Sequence, residues 1–151
     1  MKFTKLLPNS CNFRDLIDNN RVYVDKTALI CQIAKDEKGP YFISRPRRFG
    51  KSTLINTFHE LFAHGTERFK GLEIEPLWKD KTYKVIHLDF STFREVPSNS
   101  SFNKEFMDAF KLSLEEAGIE PTKENIDSPA NLLKKTLDTE SEVVLLVDEY
   151  D

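Results

Sequence analysis

Arg45-Pro46-Arg47-Arg48-Phe49-Gly50-Lys51-Ser52 lies between a short apolar run and a segment whose apolar residues recur at helical spacing. The apolar run, Tyr41-Phe42-Ile43-Ser44, follows a Gly-Pro pair and is typical of a buried strand. Gly50, Lys51 and Ser52 match the second half of the phosphate-binding loop pattern. That pattern follows a strand and opens a helix, as the flanking segments do here. The sequence therefore predicts a strand over 41–44 and a phosphate-binding loop that opens a helix after Gly50.

Each residue type at the end of this loop has a physical role in binding phosphate. Gly50 lets the backbone approach the phosphate groups, and the amide groups at the start of the helix attract anions. Lys51 is expected to reach the β and γ phosphates, and the Ser52 hydroxyl to bind Mg²⁺. The predicted nucleotide-binding residues are Arg45, Pro46, Arg47, Arg48, Phe49, Gly50, Lys51, Ser52 and Thr53.

The loop departs from the general pattern at its first position, where Arg45 replaces glycine. An arginine at positive φ is strained by about 1 kcal/mol or more, so we expect a different loop path, restricted by Pro46. The three arginines, Arg45, Arg47 and Arg48, carry extra positive charge with no acid among them. They are open to three interpretations: neutralisation of phosphate charge, a solvated basic loop, or contact with nucleic acid.

A second feature is the acidic pair that follows the apolar run 143–147. An uninterrupted run of this kind fits a buried parallel strand, so Asp148 is expected at the carboxyl edge where open sheets bind ligands. Asp148 is predicted to hold Mg²⁺, and Glu149 to orient or deprotonate the attacking water. The alternative is an acid pair that begins a turn. Asp89, at the end of a predicted strand over 85–90, is a weaker candidate at the same edge.

The remaining pattern predicts an α/β fold with a parallel sheet, because strands alternate with helical segments. Apolar spacing predicts helices over 12–20, 26–35 and 102–117, and from Pro129 onward. Asp25 is the expected N-cap of the second helix and Ser128 that of the last. The second helix is expected to carry Leu29 and Ile30 on its inward face. A chain of 151 residues suits one domain, and the net charge of -3 gives no general attraction to nucleic acid. Two isolated cysteines and no run of 18 apolar residues predict a cytoplasmic protein.

Three stretches of the chain, 23–27, 41–52 and 147–151, closely resemble the AAA-ATPase-like domain family, whose members are mostly bacterial. The resemblance implies a P-loop NTPase-like three-layer sandwich with a parallel sheet, and it makes an arginine in place of the loop glycine normal. It implies ATP rather than GTP as ligand, with Mg²⁺, and Lys51 and Glu149 as catalytic residues. It also implies a nuclease-like domain as a C-terminal partner in a longer protein.

On this basis residues 1–38 are expected to form a lead-in, and 39–151 the N-terminal part of the P-loop domain. The sheet is expected to be incomplete on its C-terminal side, with either a gap or direct pairing of 41–44 with 143–147. ATP hydrolysis is the leading functional hypothesis. A nucleotide-responsive binding module without turnover and a nucleic-acid-associated, nuclease-linked protein remain as alternatives.

Overall fold

The helices and strands of this chain fall into two units, Met1–Thr82 and Tyr83–Asp151. The computed structural model describes residues 12–36, 40–44, 46, 48–79, 81–93, 99–120 and 128–150. The helices are α1 (Phe13–Asp18), α2 (Thr27–Lys35), α3 (Lys51–His64), α4 (Asn99–Glu116) and α5 (Pro129–Thr139). The strands are β1 (Lys84–Asp89) and β2 (Val143–Asp148), and 3-10 turns cover Glu67–Phe69 and Phe90–Phe93. Among the helices in these ranges, none combines the length and the apolar character needed to cross a membrane.

The second unit has the parallel α/β arrangement that the sequence predicts. β1 and β2 pair in parallel over their full length, from Lys84 opposite Val143 to Asp89 opposite Asp148. The two helices that separate them in sequence, α4 and α5, supply the apolar side chains that cover the sheet. The buried core consists of Ile86, Leu88, Phe110, Leu114, Ile119 and Leu132. The predicted α/β class with a parallel sheet is therefore confirmed, and the described residues hold two of its strands.

One side chain of α4 covers the backbone of β1. The His87 amide donates to Ser113 Oγ at 2.8 Å, and Ser113 Oγ donates to the His87 carbonyl oxygen at 3.0 Å. The backbone N–H and C=O of one strand residue point to the same side of the strand. Because those of His87 both bond to Ser113, they lie on the edge of β1 that faces away from β2. Ser113 is buried, and it satisfies backbone groups that an exposed edge strand otherwise offers to other chains.

The predicted strand over 41–44 is not a strand in this structure, which gives the segment no regular secondary structure. Its side chains are not buried either, since Phe42 is 81% and Tyr41 51% exposed. In the described residues the sheet consists of β1 and β2, so 41–44 does not form the strand that the expected pairing with 143–147 needs, and the other expectation, a gap in the sheet, stays a prediction. A strand exists only through hydrogen bonds to a neighbour, and a four-residue apolar run cannot supply that neighbour itself.

The first unit has an aromatic core between α1 and the turns around it. Asn12 caps α1 by accepting from the Arg14 amide, and the first helical residue, Phe13, is fully buried. Its ring stacks on Phe69 with centroids 4.6 Å apart and meets Tyr23 edge-on at 5.1 Å. Helix α3 contributes buried Phe58, Leu61 and Phe62, as its predicted amphipathic spacing requires.

A buried carboxylate links α1 and α3 through two arginines. Glu60 of α3 has a side chain only 5% exposed, and its oxygens accept from Arg68 Nη1 at 2.7 Å and from Arg14 Nε at 3.4 Å. Arg68 also pairs with Asp18 at the end of α1, at 3.2 Å. A buried charge costs several kcal/mol unless it is paired, so the two arginines are what allow Glu60 to lie inside.

The start of α2 is tied to a distant turn by two polar side chains. Asp25 Oδ1 accepts from the amide and hydroxyl of Thr27, at 2.9 and 2.7 Å, and Asp25 Oδ2 accepts from the Glu73 amide at 2.8 Å. Thr27 Oγ1 in turn accepts from the Ile74 amide at 3.1 Å. Because all four bonds converge on two side chains, the start of α2 and the segment at 73–74 form one rigid junction.

Two details of α2 differ from the sequence prediction. The N-cap position is Lys26 rather than Asp25, although Asp25 supplies the side-chain hydrogen bond one residue earlier. Leu29 is 58% exposed, and the buried face consists of Thr27, Ile30 and Cys31. The hydroxyl of Thr27 can be buried because it is hydrogen-bonded to Asp25 and to the Ile74 amide. With Thr27 on the inward face of α2, Leu29 lies on the exposed side.

The Asp25 junction makes a pH-dependent contribution to stability. Burial raises the pKa of the Asp25 carboxyl, but the hydrogen bonds from Thr27 and Glu73 outweigh it and hold the pKa below its ordinary value. A lowered folded-state pKa gives stability that is present above the unfolded value of about 3.9 and lost as the pH falls through the lower folded value.

We therefore expect Asp25→Asn to lower the free energy of unfolding by about 1.5–3 kcal/mol at pH 7, because a charged acceptor is lost. The gap between wild type and variant should narrow as the pH falls below about 4. Urea unfolding at a series of pH values measures this, with the exposed Asp108→Asn as control. A difference in unfolding free energy that stays constant down to about pH 2.5 contradicts the role of the Asp25 charge.

Candidate functional site

The helix that follows the basic loop begins in a way that suits an anion. Gly50 is the N-cap of α3 with φ 76° and ψ 26°, and its carbonyl accepts the first helical bond from the Leu54 amide at 3.0 Å. Gly50 has no side chain with which to cap this helix. A Cβ at Gly50 would meet nothing within 4 Å, so the left-handed φ rather than space is what favours glycine. The start of α3 therefore places the positive end of the helix dipole directly after a left-handed glycine, a setting that favours anions.

The loop before Gly50 contains a second left-handed residue. Arg48 has φ 66°, which costs a non-glycine residue about 1–2 kcal/mol, and the Phe49 amide donates to the Pro46 carbonyl at 3.3 Å. The different loop path expected from Arg45 stays a prediction, because Arg45 and Arg47 lie outside the described residues. Strain of this kind persists only where the surroundings impose it, and it is commonest at binding sites.

The three residues after Gly50 occupy the first turn of α3 and are partly buried. Side chains one turn later hold the backbone of this turn. Asn56 Nδ2 donates to the Ser52 carbonyl at 2.8 Å, and Thr57 Oγ1 donates to the Thr53 carbonyl at 2.7 Å. The turn that carries Lys51, Ser52 and Thr53 is thus braced from within the helix.

The two strands of the second unit both end in aspartate. Asp89 and Asp148 are register partners at the carboxyl ends of β1 and β2, and neighbouring strands lie about 4.8 Å apart. Register partners in a parallel pair project to the same face of the sheet. Asp148 is 7% exposed, whereas Asp89 is exposed and accepts from the Ser91 amide at 2.8 Å. The predicted placement of both aspartates at one edge is confirmed.

Glu149 turns sharply away from the strand. Its φ is 54°, another left-handed value in a non-glycine residue. Its amide donates to Asp148 Oδ1 at 2.9 Å, so one carboxylate oxygen of Asp148 fixes the backbone of the next residue. The two acids therefore differ in exposure and in backbone conformation. Asp148 is buried at the strand end, whereas Glu149 is partly exposed and has a left-handed backbone.

Each unit contains oxygen donors of the type that Mg²⁺ prefers. Within the described ranges, no group of three or more His, Cys, Asp or Glu side chains could hold a metal alone. Mg²⁺ is usually bound by one or two carboxylates together with waters and substrate phosphates, not by a cage of protein ligands. The hydroxyl of Ser52 and the carboxylates of Asp148 and Asp89 are hard oxygen donors of the required type.

Comparison with known proteins identifies the family. The model of the AAA-ATPase-like family, described as predicted AAA-ATPase, matches residues 10–151, so this chain belongs to the AAA-ATPase-like family. It is 34% identical over 133 residues to an uncharacterized protein in the vnfD 5'region of Azotobacter chroococcum mcd 1. The match covers 85% of this chain and 25% of that protein, so this chain spans about a quarter of the relative's length. No solved structure matches this chain.

Proposed function

We propose that this chain binds ATP together with Mg²⁺ and that Glu149 promotes hydrolysis of the bound nucleotide. The observation that carries the proposal is the start of α3, where the left-handed Gly50 leads directly into Lys51 and Ser52 in the first helical turn. Membership of a family of predicted AAA-ATPases supports the same ligand. The proposal includes the P-loop NTPase-like three-layer sandwich that such a site requires.

The phosphates are bound by the first turn of α3. Its backbone amides and the helix dipole attract the negative charge, and Lys51 reaches the β and γ phosphates. Arg48, exposed in the strained turn before Gly50, adds positive charge beside them. Of the three interpretations of the arginines, neutralisation of phosphate charge is therefore the one proposed here.

Ser52 and Asp148 would hold the metal ion, which would neutralise phosphate charge when bound. Glu149 orients a water molecule towards the γ phosphorus and takes up its proton as the new oxygen–phosphorus bond forms. The bond to the bridging oxygen breaks, and ADP and inorganic phosphate are the products. Asp148 contributes a second function, because its Oδ1 accepts from the Glu149 amide and so orients the residue that handles water.

The activity of a longer protein containing this region is also a proposal. ATP turnover here would drive a conformational change in attached segments, including the nuclease-like C-terminal partner that the family resemblance implies. A nucleotide-responsive module that binds ATP without turnover is the alternative, and it differs only in the contribution of Glu149.

Calorimetric titration of the purified chain with ATP and GTP, each with Mg²⁺, tests the proposed function. We expect ATP to bind in the micromolar to millimolar range common for enzyme substrates, at least about 10-fold more tightly than GTP. Lack of binding at millimolar ATP contradicts the proposed function. Equal affinity for both nucleotides contradicts the preference for ATP alone.

A further inference from the structure

An aromatic contact joins the two chain segments that leave the sheet at its carboxyl edge. Phe90 follows Asp89 directly, and Tyr150 follows Asp148 by two residues. Their rings meet edge to face, with centroids 5.7 Å apart and planes at 75°. Because Asp89 and Asp148 are register partners, this contact lies immediately beyond the paired aspartates.

The two partners in this contact have different surroundings. Phe90 also packs against Phe93 at 5.7 Å and Phe106 of α4 at 5.6 Å, so the body of the unit holds it in place. Tyr150 is 74% exposed, and its ring contact with Phe90 is its tie to that cluster. An exposed aromatic ring on a fixed partner restrains the backbone that carries it.

The backbone restrained in this way is that of Glu149, which lies between Asp148 and Tyr150. Its left-handed φ of 54° is unfavourable for glutamate and needs support from both sides. On one side, Asp148 Oδ1 accepts from the Glu149 amide at 2.9 Å. On the other side, the support is the anchored ring of Tyr150.

We propose that Tyr150 is a positioning residue, whose contact with Phe90 holds the left-handed backbone of Glu149 and thereby directs the Glu149 carboxylate towards the attacking water. This inference rests on the proposed function of Glu149. In this role Tyr150 acts through Glu149 and not on the nucleotide itself. The contact is made by the ring, so the phenolic hydroxyl has no part in it.

Turnover of ATP by Tyr150→Ala and Tyr150→Phe tests this role. We expect Tyr150→Ala to lower kcat about 10-fold with KM for ATP changed less than about 2-fold, because only the transition state uses the Glu149 carboxylate. Tyr150→Phe should keep kcat within about 2-fold of wild type. Leu112→Ala removes another exposed apolar side chain of the same unit, 57% exposed, and should change neither constant.

The same substitution in a Glu149→Gln background separates positioning from general destabilisation. Tyr150→Ala should then cause no further loss, since the group that it positions is already absent. An equal additional loss in that background overturns the proposal, as does a Tyr150→Phe variant that is as slow as Tyr150→Ala.

The backbone itself provides a readout that does not depend on catalysis. Backbone NMR shifts of Glu149 should report the left-handed conformation in wild type and Tyr150→Phe, and an averaged conformation in Tyr150→Ala. Unchanged Glu149 shifts in Tyr150→Ala overturn the proposal even if the chain hydrolyses no ATP. A chain without ATP turnover, but with the expected shift change, contradicts the proposed function and leaves the aromatic restraint supported.

Discussion

Glu149→Gln is expected to lower the rate of ATP hydrolysis by about 100-fold or more, the usual contribution of a positioned general base. ATP affinity should change little, because Glu149 acts on water and not on the ground-state phosphates. The substitution keeps the size of the side chain and removes its negative charge and its ability to accept a proton. Phosphate release and calorimetric ATP binding measure the two quantities separately.

A matched control lies at the other end of the same strand. Glu142 immediately precedes β2, is exposed, and has φ 58°, so it shares the residue type and backbone strain of Glu149. Glu142→Gln should leave turnover unchanged. If Glu149→Gln also left it unchanged, Glu149 would not be the catalytic base, and binding without turnover would become the better description.

Lys51→Ala is expected to weaken ATP binding by about 100-fold, since removing one partner of a charge-assisted contact costs 2–5 kcal/mol, or roughly that loss in affinity. The lysine stands in the first turn of α3, next to the glycine that opens the helix to anions. The loss should occur with and without Mg²⁺, because the contact proposed for Lys51 is with the phosphates themselves.

Lys70→Ala is the control for Lys51→Ala, because Lys70 is an exposed lysine of the same unit placed after the Glu67–Phe69 turn. It should bind ATP like the wild type. Equal affinity of Lys51→Ala and Lys70→Ala would show that α3 does not begin at a phosphate site.

Helices and strands that are determined by the residues within them could be predicted from the sequence. Helix α3 follows from apolar spacing after Gly50, and β2 from an uninterrupted run that ends at Asp148. The Tyr41–Ser44 segment could not be predicted in the same way, because four apolar residues say nothing about whether a partner strand is available. The face of α2 was misjudged for a similar reason, since the burial of Thr27 depends on Asp25 and on an amide 47 residues away.

Residue types at the candidate site could be predicted, but their backbone geometry could not. The order Gly-Lys-Ser and Asp-Glu identifies chemistry that phosphate and magnesium require. The left-handed conformations of Arg48 and Glu149 leave no mark in the sequence, because neither residue type favours positive φ. The restraint by Tyr150 likewise depends on Phe90, a residue 60 positions away in sequence that the strand register brings alongside.

We propose that Asp148 binds ATP through Mg²⁺. The most direct test is ATP affinity of Asp148→Asn measured in Mg²⁺ and again in EDTA, with the exposed Asp138→Asn as control. We predict affinity about 10-fold or more below wild type in Mg²⁺ and equal to wild type in EDTA, because the carboxylate acts only through the metal. Equal affinity of Asp148→Asn and wild type in Mg²⁺ would contradict the claim.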